Sequence, residues 1–243
     1  MIHLDEDGLP SSYPAKPGEN GRWSMCPENS GSKKYNVHFI QTPMKLADKQ
    51  GDTPSIVDAD GLIYVLHEEE AQVRKSDVKY PLVVRANIYD CIDWMLTSEW
   101  EDDDHINFHA SKINTHWHFL QFDNQSSDGV ITGFSYEQSV RPFTMLEKKV
   151  NKGLPLPMNT TFTKPAKKGD RVITVKNAAQ YQPNVEILIG ADNVEGNEIG
   201  RVKSVTGNQI TLFRPLKHSH PVKDIVTVEF VRQRFWVDSD VGT

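Results

Sequence analysis

Short apolar runs of alternating character, cut apart by turn residues, most limit the folds open to this chain. Residues 172–175, 185–190, 201–205, 209–213, 225–231 and 234–237 are strand-length runs of this kind, and Thr206-Gly207-Asn208 sits between two of them as a hairpin tip. Side chains on a strand alternate between faces, and runs at this spacing with Gly and Asn turns mean a β unit. The signal occurs earlier too, in residues 35–41, 62–66, 82–88 (opened by Pro81), 91–97 and 113–122. Within 91–97, Cys91, Asp93, Met95 and Thr97 alternate with Ile92, Trp94 and Leu96. Only residues 67–75 have the composition of a helix, and that run is short. The expectation is an all-β protein.

Two stretches break the pattern. Residues 1–34 carry Pro10, Pro14, Pro17 and Pro27 among Gly, Ser and Asn, with too few apolar side chains to offset the cost of ordering them alone. Residues 148–168 are dominated by Lys, Pro, Asn and Thr and read as a linker. The 243 residues allow one large domain or two modest ones, and 37% hydrophobic residues suffice for a core. With 27 Lys+Arg against 33 Asp+Glu, the net charge of -6 argues against a nucleic-acid backbone as partner. No apolar run approaches the roughly 18 residues of a membrane span. Residues 1–10 hold charges and no apolar core of a secretory signal. Two cysteines, Cys26 and Cys91, permit at most one disulfide and exclude a zinc site built from cysteines.

Chemistry concentrates in residues 113–145. On a strand, His116 and His118 share a face, roughly 6.6 Å apart along the chain at about 3.3 Å per residue, while Trp117 points behind. That spacing suits imidazoles reaching two different metals, or one metal if the rings converge. Neutral imidazole serves copper, iron, nickel and zinc, so the pair alone does not choose. Asp128 precedes Gly129, the ordinary setting of a turn-forming Asp.

Thr115-His116-Trp117-His118, Gln121, Ser127-Asp128-Gly129-Val130 and Tyr136-Glu137-Gln138 leading to Pro142 together resemble the first copper motif of multicopper oxidases. The run Leu82-Val83-Val84-Arg85-Ala86-Asn87, then Asp90 and an alternating strand, is similar to that family's opening cupredoxin hairpin. His118-Phe119-Leu120-Gln121-Phe122-Asp123 is most like the large bacterial members, which include manganese-oxidising enzymes. The resemblance covers about residues 35–145 and the last dozen. It implies a cupredoxin-like Greek-key β-sandwich formed by residues 35–147 and a return strand at 231–243. Residues 1–34 then form an irregular segment, and 148–230 a linker with an inserted small β-roll. His116 would ligate the type 2 copper of a trinuclear centre and His118 one of the type 3 pair. Asp128 would act beside the cluster as a catalytic proton donor, because reducing dioxygen to water needs protons. The implied partners are dioxygen and the remaining cupredoxin domains or subunits, with self-association through an open sheet edge. Export or a cell-surface location follows from the same likeness, and with it a Cys26–Cys91 disulfide.

The pattern also stops short. The family's blue-copper site needs a His-Cys-His segment, whereas Cys26 lies in Met-Cys-Pro and Cys91 in Asp-Cys-Ile. Residues 235–243 look like the approach to a second His-x-His that does not follow, so the chain is expected to be part of an oxidase, inactive alone. His218-Ser219-His220 has the right letters, but Pro221 and its neighbours make it an exposed turn; the rival reading has it complete the copper site. His38 reads as a packed core histidine and Trp94 and Trp117 as core aromatics, while His105 and His109 flank a solvated acidic loop. Two further classes remain open: a non-catalytic cupredoxin-like copper-binding or structural subunit, and an adhesion-type sandwich with incidental histidines.

Overall fold

The computed structural model describes residues 31–47, 51, 54–100, 113–122, 127–129, 139–140, 159–193 and 196–238. Their strands, in chain order, are β1 (Gly31–Gln41), β2 (Met44–Ala47), β3 (Ile56–Asp58), β4 (Leu62–Leu66), β5 (Asp90–Ser98) and β6 (Gln121–Phe122). There follow β7 (Asn159–Thr161), β8 (Val172–Thr174), β9 (Glu186–Ile189), β10 (Glu198–Thr206), β11 (Gln209–Leu212), β12 (Ile225–Thr227) and β13 (Val231–Trp236). A 3₁₀ turn, His67–Glu69, runs into the one described α-helix, α1 (Glu70–Lys75). The protein is all-β, with this one short helical excursion among the described residues. Two compact units divide the chain, residues 1–140 with 231–243 and residues 141–230.

The first unit is built on a mixed sheet of order β4-β1-β5-β13-β6, beside a separate β2–β3 hairpin. β5 lies at its centre, parallel to β1 and antiparallel to β13. Its apolar alternation explains that place: Ile92, Trp94 and Leu96 are buried together with Val37, Phe39, Val231 and Phe235. Along β1 the period of two sends Val37 and Phe39 into this core and leaves His38 and Ile40 on the other face. The 3₁₀ turn packs on β1. Cys91 is disulfide-bonded, and Cys26, the only other cysteine of the sequence, lies outside the described residues.

Several expected elements differ. Residues 31–34, expected to be irregular, begin β1. Residues 82–88 are not a strand, although Leu82 and Val84 pack against the core and Val83 is exposed. A period of two reports which side chains are buried, whereas a strand also needs a neighbouring backbone in register. Here the Tyr35 hydroxyl donates to the Arg85 carbonyl and accepts from the Arg85 N–H at 3.2 Å. Residues 113–122 are not one strand either: Ile113 bridges Val140, residues 114–117 are irregular, and only β6 is extended and paired. Phe119 has φ +62°, a left-handed conformation that breaks an extended run.

In the second unit, the strands form one antiparallel sheet of order β7-β12-β9-β10-β11-β8. Ile173, Ile187, Ile189, Val202, Ile210, Leu212 and Val226 fill its core. Part of the expected linker belongs here, because residues 159–161 are β7, and Phe162 and Ala166 are buried in that core. Residues 148–158 lie outside the described ones. No helix among the described residues is long and apolar enough to cross a membrane.

Candidate metal centre

Trp117 organises the segment between Ile113 and β6. Its indole meets Trp94 edge to face at 5.0 Å and Phe235 at 5.6 Å, so the ring is drawn into the core. His116 and His118, its neighbours on either side, are exposed. Their rings lie 4.9 Å apart, centroid to centroid, at 88° to one another. The shared outward direction expected of a strand is thus achieved without one. Apolar anchorage of the middle residue does the work that a ladder of hydrogen bonds would have done.

Asp128 joins this pair. The His116 Nδ1 is 2.7 Å from the Asp128 backbone carbonyl and 3.1 Å from its Oδ1. A carbonyl oxygen can only accept, so Nδ1 is the donor, and in the neutral ring the lone pair sits on Nε2, facing away from that contact. This is the tautomer and orientation that a metal-ligating imidazole needs. All three expected site residues therefore come together.

The loop that presents Asp128 is tied to β13 through Ser127 and through Gln233, a residue outside the motif. Gln233 is fully buried. Its Nε2 donates to the Thr115 carbonyl at 2.9 Å and the Ser127 carbonyl at 3.2 Å, and its Oε1 accepts from the Thr115 hydroxyl at 2.6 Å. The Ser127 hydroxyl accepts from the Arg234 N–H at 2.9 Å, and the buried Arg234 guanidinium donates to Asp93 at 2.7 Å. Asn114 donates to the Gly129 carbonyl, and the Tyr64 hydroxyl donates to the Asn114 carbonyl at 2.7 Å. Gly129 has φ +81°, and a Cβ there would overlap the Thr115 carbonyl, so glycine alone lets the two segments approach. One signal was available in the sequence. Gln233 sits in phase with Val231 and Phe235, a polar residue at a core position of a period-two pattern.

The other expected residues have ordinary places or lie elsewhere. Trp94 is 2% exposed, as a core aromatic should be. His38 is also buried, stacked on His67. His105 and His109 lie outside the described residues. In the second unit His218 is exposed, as a turn residue should be. His220 is not: it is 1% exposed, with Nδ1 3.0 Å from Asp224 and Nε2 3.1 Å from Glu198. Burial alone would lower the His220 pKa, but its bonds to these two carboxylates raise it above the ordinary 6.5. Burial likewise works to raise Glu198, and the bonds from His220 and from the Lys217 and His218 N–H groups outweigh it and hold the carboxyl below its ordinary 4.5. His220 thus has both ring nitrogens engaged in an internal acid–base lock.

No protein-family model matches the chain, and no curated protein matches it. Among solved structures it is similar to the tailspike gp61 of Pseudomonas phage phi297, at 20% identity over 31% of this chain and 14% of that one, with a TM-score of 0.25. It is also similar to the Gp54 tailspike of Acinetobacter baumannii bacteriophage AP22, determined in complex with A. baumannii capsular saccharide, at 19% identity over 32% and 14% with a TM-score of 0.25. The matched part spans 14% of either tailspike, and at this TM-score neither likeness carries an argument about fold or function.

Proposed function

We propose that this chain supplies His116 and His118 to the trinuclear copper site of a multicopper oxidase, as part of a cupredoxin-like Greek-key sandwich at the N-terminal end of the enzyme. The observation that carries the reading is the His116 ring. It is exposed beside His118, with Nδ1 held by the Asp128 carbonyl and Nε2 left to ligate. Imidazole donors fit copper, as they fit zinc, iron and nickel, and the Thr-His-Trp-His and Ser-Asp-Gly resemblance selects copper among them.

His116 is assigned to type 2 copper and His118 to a type 3 copper, with the remaining ligands coming from other cupredoxin domains or subunits. A copper cluster held there would supply the electron transfer for reducing dioxygen to water while a metal ion, Mn(II) by subfamily likeness, or an organic substrate is oxidised. This chain's residues position the ligands and handle protons. Trp117 aims both imidazoles outward, and Gln233 and Ser127 hold the Asp128 loop against them. The Asp128 carboxylate, partly exposed and 3.1 Å from the His116 Nδ1, stands where it can take a proton from water and hold it beside the ligands. An exported location is supported by the disulfide at Cys91, since disulfides persist in oxidising compartments.

Electron paramagnetic resonance of the full chain titrated with Cu(II) tests the proposal. The difference spectrum between the unsubstituted protein and H116A/H118A should contain a nitrogen-coordinated type 2 signal, with no oxidase turnover by the chain alone. A double variant that binds Cu(II) with the same spectrum and stoichiometry would refute it. Both histidines are exposed, so their removal leaves the core intact.

A further inference from the structure

The face of β1 turned away from the apolar core carries a second set of donor groups. His38 is 2% exposed, and its ring stacks on the His67 ring at 3.8 Å and 25°. His67 reaches it because β4 runs directly into the 3₁₀ turn, which lies back over β1. One turn further on, Glu70 places Oε2 2.9 Å from the His38 Nδ1, and Glu99, just beyond β5, places Oε1 3.7 Å from the same nitrogen. Arg74 serves both carboxylates, with Nε 2.6 Å from Glu70 and Nη2 3.0 Å from Glu99, and donates to the Gln41 carbonyl at 3.1 Å. Burial and the neighbouring Glu70 charge raise the Glu99 carboxyl above its ordinary 4.5, so the negative charge of the cluster rests first on Glu70, beside the Arg74 guanidinium and the two imidazoles. Burial alone would raise the Glu70 carboxyl, but hydrogen bonds from His38 and Arg74 hold it down at about 2, so it is ionised as a ligand must be.

We infer that His38, His67 and Glu70 bind a first-row divalent transition ion of the zinc class, at a site separate from the His116–His118 pair. Two imidazoles and a carboxylate are a donor set shared by zinc and related ions. One ligand atom from each lies within 4.8 Å of the others. Tetrahedral zinc, with bonds near 2.0–2.2 Å, holds its donors about 3.3 Å apart, so binding requires a contraction of up to about 1.5 Å. Two cofacial rings cannot both aim in-plane lone pairs at one ion, so the contraction must come from a turn of the half-buried His67 about its side-chain bonds. The fixed members are then His38, locked in the sheet, and Glu70, whose second oxygen Arg74 holds. The ion takes the place of the proton between the His38 Nδ1 and Glu70, and the neutral ring keeps its proton on Nε2.

The test uses the full chain in the H116A/H118A background, so that the other histidine pair contributes nothing. Zinc(II) titrated calorimetrically should bind, and H67Q or E70Q should each weaken binding by at least about tenfold, since even indirect supports of a metal site are worth that much. E69Q removes an exposed neighbouring carboxylate and should leave the affinity unchanged. X-ray absorption at the zinc edge, which needs no variant of the site itself, should report two imidazole ligands. Absence of zinc binding in this background, affinity unchanged in H67Q and E70Q, or fewer than two imidazoles around the ion would each overturn the assignment.

Discussion

Replacing Gln233 by Leu separates the shape of the core from the hydrogen bonds that aim the metal centre. Leucine has a similar volume and suits the apolar neighbours, so the substitution opens no large cavity. It removes the donor to the Thr115 and Ser127 carbonyls and the acceptor of the Thr115 hydroxyl. Ser127 is fully buried and water cannot replace the lost partner, a loss of about 1–3 kcal/mol. Thr115 is half-buried and forfeits only the net value of its two bonds, about 1–3 kcal/mol. The sum, about 2–6 kcal/mol, corresponds to a fall in melting temperature of roughly 4–24 °C for a unit of this size. Because Ser127 adjoins Asp128, the hold on the His116 Nδ1 loosens as well, and Cu(II) affinity should fall about 10–100-fold. Differential scanning calorimetry and Cu(II) titration of the full chain read the two effects separately. H116A is the control, lowering copper affinity with little change in melting. A Q233L protein with the melting temperature and copper affinity of the parent would refute the role given to Gln233.

Gly129→Ala should weaken Cu(II) binding and lower the melting temperature together, since the new Cβ overlaps the Thr115 carbonyl at a positive φ that costs about 1–2 kcal/mol; the same two measurements check it. His220→Leu leaves Glu198 and Asp224 buried without their cation, a loss of about 3–5 kcal/mol read as early melting of the second unit. The parent should show a matching pH dependence. The raised His220 pKa stabilises the fold in full below 6.5, and this is lost as pH rises through the higher folded value. The lowered Glu198 pKa stabilises it above 4.5, and this is lost as pH falls through the lower folded value. The second unit should therefore melt highest between about pH 4.5 and 6.5, and a melting temperature flat from pH 5 to 9 would contradict the lock.

Local pattern was legible wherever burial and backbone pairing coincide. Residues 62–66 and the helical run 67–75 appear where the sequence places them, and 91–97 lies within β5. The two diverge in residues 82–88, where Leu82 and Val84 are packed but no strand forms, and around Phe119, where one left-handed residue interrupts an alternation that the letters continue. His220 shows the same limit in reverse. Beside Pro221 it has the look of an exposed turn, yet Glu198, 22 positions away, buries it by supplying a charge partner.

What the sequence by itself determined is the β character of the chain, which follows from alternation between neighbouring residues, and the placing of an apolar Trp117 between two polar imidazoles, which burial alone sets apart. Only the tertiary structure decided that the two rings stand beside Asp128, that Gln233 holds them there across 118 positions from Thr115, and that His38 meets His67 and Glu70. Such partners are chosen by which backbones lie side by side. That choice is made by the summed burial of the whole sheet and leaves no mark on the residues next to each partner in the chain.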